Sequence, residues 1–306
     1  MTILVTATSL CRHQQHPQLQ RLRELGDVVF NDQGRPLTGP ELQQWLPGVD
    51  AVLAGVDDYT AEALAAADRL RVISRYGVGT DRIDLDAAQR HGIAVTRTPG
   101  ANAEGVAELA LGLMFSVARR IPTLHEQVRE GGWPRITGIE LSGRRLGVVG
   151  AGAIGQRVAR AASGMGMTVY GYDPFVDAET MREAGMEPRA LDDIFAVSDV
   201  LTLHVPLTED TRHLVDARRI AAMPRDAIII NTARGGLLDE GAALAALETG
   251  HLWGVGLDAY EIEPPVDSPL VAHPHAVSTP HAGSHTAEAV DRTARAAVDN
   301  LIAAVS

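Results

Sequence analysis

The chain has 306 residues, 45% hydrophobic and 22% charged, which is the composition of a folded soluble protein and not of a disordered one. Lys and Arg total 27 against 39 Asp and Glu, so a net charge of −12 offers no basic excess to nucleic acid or to an anionic membrane surface. The single cysteine, Cys11, excludes an intramolecular disulfide and a cysteine metal cluster and fits a reducing, cytoplasmic setting.

At about 150 residues per domain, the length predicts two domains. The first ten residues, MTILVTATSL, read as a strand and not as a signal peptide. Apolar runs at 3–7, 28–30, 51–55, 71–76 and 93–98 read as strands, with helical patterns at 17–25, 60–67 and 85–91 between them. This alternation means βαβ units and a parallel sheet. Thr60, Asp81 and Asp84 are the candidate helix N-caps. The pattern changes at Pro99–Gly100. Residues 103–119 read as one long helix, apolar on most of its circumference, with Arg119 and Arg120 in its last turn. A Gly-containing loop through EQVREGGW follows, and then a second alternating series. Its strands are expected at 144–150, 167–173, 199–205, 227–233, 254–260 and 277–280, and an amphipathic helix at 286–304 closes the chain.

The segment Gly150-Ala-Gly152-Ala153-Ile154-Gly155 follows one of these strands and opens a helix at Ile154–Ala162. In that context GxGxxG is a dinucleotide turn. Gly150 allows the tight turn, Gly152 lets the backbone meet a pyrophosphate, and Gly155 permits close helix–strand packing. The helix N-terminus adds free N–H groups and partial positive charge. Asp173 ends the next strand, where a carboxylate accepts from both ribose hydroxyls and repels a 2′-phosphate, favouring NAD over NADP.

Three further segments are more specific: 231–236 (NTARGG), 258–264 (DAYEIEP) and 279–284 (TPHAGS). With 75–81 (RYGVGTD) and 204–208 (HVPLT), in this order, the chain resembles the D-isomer-specific 2-hydroxyacid dehydrogenase family from about residue 50 to 300. The phosphoglycerate dehydrogenase-like branch is the nearest in pattern, from the YDP at 172–174 and the Arg75 loop.

The resemblance implies an α/β fold of two doubly wound parallel-sheet domains, a Rossmann NAD domain (99–284) inserted into a flavodoxin-like substrate domain (1–98 and 285–306). It also implies a homodimer through the long helix and the loop after it, with no nucleic-acid or membrane partner. The implied reaction moves a hydride between a D-2-hydroxy acid and its 2-keto acid, with 3-phosphoglycerate/3-phosphohydroxypyruvate or a related small acid as substrate. His281 suits the proton transfer, since histidine titrates near neutrality. Glu263 would hold its other ring nitrogen, and the planar fork of Arg234 would hold the substrate carboxylate. By resemblance, the backbone at Gly77, Val78 and Gly79 also binds that carboxylate, and Asn102 contacts the substrate or nicotinamide region. Asp258 would accept from the nicotinamide amide, and His204, Val205, Pro206, Thr211, Thr232, Ala233 and Gly283 belong to segments lining the cofactor. Arg75 could pair with a substrate phosphate, or with Asp81 or Asp84. Glu261 is the neighbouring glutamate that only alignment of the Glu-Pro pair sets aside. No cluster has metal-ligand spacing, and the reaction needs no metal.

Two alternatives stand beside the dehydrogenase reading. One is a glyoxylate/hydroxypyruvate reductase, whose substrate Asp173 does not exclude. The other, of a different class, is an NAD(H)-sensing corepressor-like binding protein, which would retain the same three residues.

Overall fold

The computed structural model describes residues 1–305. The backbone separates into two compact units, Met1–Asn102 with the chain from Thr286 onward, and Ala103–His285.

In the first unit, five strands run as β1 (Thr2–Val5), β2 (Asp27–Phe30), β3 (Ala51–Ala54), β4 (Val72–Arg75) and β5 (Ala94–Thr96). All neighbours are parallel, in the order β2-β1-β3-β4-β5. Successive strand residues face opposite sides. Leu4, Val52 and Ile73 bury against one helical layer that includes Leu42 and Leu64. Ile3, Val5, Leu53 and Val72 bury against Leu19 and Leu22, and against Ala294, Ala297, Val298 and Leu301 of the last helix, Ala287–Val305. The Ser74 hydroxyl donates to the carbonyl of Ala297 at 2.7 Å, tying that helix to β4. Thr60 and Asp84 cap their helices, accepting from Ala63 N–H (3.2 Å) and Ala87 N–H (2.8 Å). Asp81, expected as a cap, lies three residues short of that helix and is exposed.

In the second unit, seven strands run as β6 (Arg145–Val149), β7 (Thr168–Tyr172), β8 (Glu187–Pro188), β9 (Val200–Leu203), β10 (Ala227–Asn231), β11 (Leu252–Leu257) and β12 (Ala276–Ser278). The sheet is wholly parallel, in the order β12-β11-β10-β9-β6-β7-β8. The chain moves outward from β6 to β8, then crosses back to β9, so the order reverses between β6 and β9. Ligands bind outside the carboxyl ends of the strands at such a point. The helix Ala103–Ala118 covers one face with Ala110, Leu113, Met114 and Val117, beside the helix Ala153–Gly164. Helices Leu191–Val197, Ala217–Ala222 and Glu240–Glu248 cover the other face.

Three local expectations are corrected. The long helix ends at Ala118 and not in an Arg119–Arg120 turn: Arg120 adopts a left-handed backbone (φ 53°) and precedes a separate helix, Ile121–Arg129. Pro122 could not continue the first helix, because its ring clashes with the carbonyl four residues back. The Arg120 guanidinium donates to the carbonyl of Trp253 (2.9 Å) and lies 4.3 Å from the Trp253 ring. The EQVR part of the expected loop is therefore helical. Second, β11 starts two residues early and ends at Leu257, and the side chain of Asp258 just beyond it accepts hydrogen bonds from the loop after β12. Third, β8 carries no apolar run; it is a two-residue edge strand, the position where Pro188 is tolerated.

Candidate active site

The dinucleotide turn stands at the reversal point between β6 and β9. Gly150 has a left-handed backbone (φ 102°), and a β-carbon there would press on the carbonyl of His204. A β-carbon on Gly155 would overlap the Gly150 carbonyl, so glycine is what lets this helix approach the strand. Gly152 differs: it is exposed and a β-carbon would meet nothing within 4 Å. Its freedom serves the approach of something from outside. Ala153 is exposed and Ile154 half-buried at the helix start, among N–H groups that no carbonyl of the helix can satisfy.

Asp173 is held by two amides, accepting from Ala151 N–H at 2.9 Å and Phe175 N–H at 2.8 Å. Each carboxylate oxygen keeps a further lone pair for a ribose hydroxyl. At the ends of β9 and β10, two enclosed polar atoms, His204 Nδ1 and Thr232 Oγ1, find no hydrogen-bond partner among the described residues. Orphaned polar atoms at strand ends are open to a partner from outside the chain. His204 Nε2 lies 3.0 Å from Thr202 Oγ1, and burial of the ring pushes its pKa down to about 3, so the ring is neutral. Val205 and Pro206 follow it. Thr211 is occupied by its own turn, donating to Pro206 O (2.8 Å) and accepting from Thr208 N–H (2.7 Å). A glycine cradle, a fixed carboxylate and two orphaned polar atoms at one end of the sheet fit a dinucleotide.

The second cluster is built from the loops after β10, β11 and β12. The Asn231 side chain shapes the first loop, donating to Arg234 O (2.8 Å) and accepting from Ala233 N–H (3.1 Å). Arg234 is half-buried and donates to Ala233 O at 2.8 Å. His281 has a left-handed backbone (φ 52°), and its Nδ1 lies 2.9 and 3.1 Å from the two carboxylate oxygens of Glu263. The carboxylate can only accept, so Nδ1 carries the proton and Nε2 is the nitrogen left for a substrate. Burial pushes the Glu263 carboxyl up, but the His281 hydrogen bond and charge, the Tyr260 N–H and the charge of Arg234 outweigh it. The net pKa lies below the ordinary value.

Asp258 is almost fully buried and accepts from Thr279 Oγ1 (2.6 Å), Ala282 N–H (2.7 Å) and Gly283 N–H (2.9 Å). It therefore shapes the loop that presents His281, and a β-carbon on Gly283 would crowd it at 3.2 Å. Tyr260 adds a hydroxyl donated to Thr279 O at 2.7 Å. Asn231, Tyr260 and Thr279 sit inside motifs quoted from the sequence, but only the loop geometry gives them roles.

The expected substrate-binding residues lie in the first unit. Arg75 is buried and donates to the carbonyls of Gly79 (2.9 Å) and Tyr76, so its guanidinium supports its own loop. Gly77 N–H is taken by Thr98 Oγ1 at 3.1 Å, whereas the N–H groups of Val78 and Gly79 have no acceptor among the described residues. Asn102 is half-buried just before the helix that starts at Ala103. Among the described residues, no three His, Cys, Asp or Glu are grouped to hold a metal ion. No described helix is long and apolar enough to cross a membrane.

Fold and site together define a dinucleotide-binding scaffold of the doubly wound class. Residues 111–283 match the model of the D-isomer specific 2-hydroxyacid dehydrogenase, NAD binding domain. The chain is 42% identical over 303 residues to a hydroxypyruvate reductase of Thermotoga maritima, covering 95% of this chain and 98% of that one. It is also 42% identical over 274 residues to a D-3-phosphoglycerate dehydrogenase of Methanocaldococcus jannaschii, covering 88% of this chain and 51% of the relative. The chain thus spans about half the length of several of the curated relatives it matches. A crystal structure of D-lactate dehydrogenase from Aquifex aeolicus, complexed with NAD and lactic acid, superposes with a TM-score of 0.86 at 29% identity, over 99% of this chain and 95% of that one. The chain belongs to the D-isomer specific 2-hydroxyacid dehydrogenase family, and its second unit is a NAD-binding domain.

Proposed function

We propose that the chain interconverts a D-2-hydroxy acid and its 2-keto acid with NAD as the hydride carrier. The observation that carries this reading is the Glu263–His281 pair, 2.9 Å apart, with the positive charge of Arg234 felt at the same carboxylate. When bound, the nicotinamide supplies or accepts the hydride. The residues do the remaining work. In reduction, His281 in its protonated form gives the Nε2 proton to the carbonyl oxygen as that oxygen gains charge. In oxidation, the neutral ring takes the hydroxyl proton at the same nitrogen. Glu263 fixes the ring and its tautomer through Nδ1. Arg234 binds the substrate carboxylate through its fork and polarises the carbonyl. In the first unit, the amides of Val78 and Gly79, on a loop that Arg75 supports, are donors suited to an anion.

Asp173, steadied by Ala151 and Phe175, would accept from both ribose hydroxyls and repel a 2′-phosphate. The test is kcat/KM for NADH and NADPH on a panel of 2-keto acids headed by hydroxypyruvate and 3-phosphohydroxypyruvate. Preference for NADH with one of these acids is the expected result; a strong preference for NADPH contradicts the reading of Asp173.

Two further assignments accompany the reaction. The protein acts as a homodimer through the long helix and the region after it, which expose Phe115 (41%), Ile121 (48%), Val128 (51%) and Trp133 (82%). Light scattering at micromolar concentration tests it, a monomer contradicting the assignment. It works in the cytoplasm, in keeping with a lone Cys11 whose thiol is pushed up to about 11 by burial. Such a thiol is inert and not a nucleophile.

A further inference from the structure

Glu261, two residues before the proposed Glu263, is engaged differently from its neighbour. Its Oε1 accepts from Glu240 N–H at 3.2 Å and lies 3.1 Å from Nε2 of His213. In return, Glu261 N–H donates to Oε1 of Glu240 at 2.8 Å. Two glutamates thus exchange backbone and side-chain bonds across 21 residues of sequence. The helix that Glu240 opens follows directly on the Arg234 loop, and Asp239 caps it by accepting from Ala242 N–H at 2.9 Å.

The same two loops also touch through backbone. A β-carbon on Gly235 would fall inside the backbone of Tyr260 and Glu261. His213 enters from a third segment, with a left-handed backbone (φ 48°) and its N–H donating to Gly236 O at 2.7 Å. Segments 213–215, 234–240 and 260–263 are therefore laced together immediately beside Arg234 and Glu263. A lone exposed ion pair has little effect on stability. Here the carboxylate also accepts a backbone N–H, and such charge-assisted bonds are the stronger kind.

We propose that Glu261, steadied by Glu240 and His213, is a positioning residue that keeps the Arg234 loop in register with the Glu263 loop. It touches no reacting atom. The proposal rests on the assignment of Arg234 and Glu263–His281 to the reaction. The decisive variants are Glu261→Ala, which removes the acceptor, and Glu261→Gln, whose amide oxygen still accepts from Glu240 and His213.

Amide hydrogen exchange on the cofactor-free protein reads the clasp itself. Kinetics with NADH and the best 2-keto acid read its consequence. In Glu261→Ala, exchange should rise in both 232–240 and 258–263, and kcat/KM for the keto acid should fall about tenfold, since small misplacements of a reacting group are costly. The Kd for NADH should stay within twofold, and Glu261→Gln should recover most of the loss. Exchange rising in only one segment, an unchanged kcat/KM, or a Gln variant as impaired as the Ala variant would overturn the proposal. If the wild-type protein turns over no keto acid, the reaction assignment fails, while the exchange experiment still decides whether the clasp couples the loops.

Discussion

The two sheets end in loops of opposite kinds. After β10, β11 and β12, polar side chains pair with partners far along the chain: His281 with Glu263 at 2.9 Å, and Asp258 with Thr279 at 2.6 Å. After β4, the strand-end side chain of Arg75 turns back on the carbonyls of Gly79 and Tyr76. The amides of Val78 and Gly79 are left without an acceptor among the described residues. Fixed side chains with a choice of proton state suit bond-making steps, whereas a glycine-rich run of amides suits holding an anion. By this difference the loops of the second unit suit bond-making steps and the loop of the first suits holding an anion.

The comparison can be broken at several points. Loss of the proton carrier has the largest expected effect: His281→Ala should lower kcat by about 10²–10⁴-fold, the usual range for general acid–base catalysis, with NADH affinity unchanged by fluorescence titration. Arg234→Gln should cost roughly 100-fold in kcat/KM, about 2.7 kcal/mol, shown mainly as a raised KM for the keto acid. Gly152→Val should raise the Kd for NADH about tenfold or more while leaving Tm in place, because nothing in the protein meets the added carbon. A parallel fall in Tm would refute the reading of Gly152 as an approach point. Arg75→Ala should raise the keto-acid KM only several-fold, by loosening the loop, without changing NADH affinity. A larger loss than that of Arg234→Gln would reverse the assignment of roles to the two loops.

The smallest effects are in the pH profile. Glu263 sits below its ordinary pKa, so its pairing contributes stability above the ordinary carboxylate range and loses it only as pH falls through the lowered value. The Tm of the wild-type protein should therefore fall as pH drops through that value, and Glu263→Gln, which has no carboxyl to titrate there, should lose part of this fall. Superimposable Tm profiles would show that the carboxylate pairing contributes no stability.

The sheet architecture was legible because buried parallel strands read as apolar runs: β3 and β9 are buried at every position. The edge strand β8 was not, since Glu187-Pro188 has no apolar pattern to show. The break after Ala118 was in principle readable from Pro122, but the cation–aromatic contact of Arg120 with Trp253, 133 residues away, was not. In the site, the sequence motifs named Arg234, Glu263 and His281, and the fold brings the last two together. The Glu-Pro pair singled out Glu263 over Glu261, but no motif showed that Glu261 clasps Glu240, which only the loop geometry reveals. Nor could they show that Gly77 N–H is engaged while its neighbours are open, which depends on Thr98, 21 residues on.

The account is tested most directly by the configuration of the product. Purified protein is incubated with NADH and the 2-keto acid it turns over fastest, and the hydroxy acid is resolved by chiral chromatography. The assignment of His281, Arg234 and the NAD-binding domain predicts the D enantiomer, formed in step with NADH consumed. An L product, a racemate, or NADH bound without turnover of any 2-keto acid would contradict it.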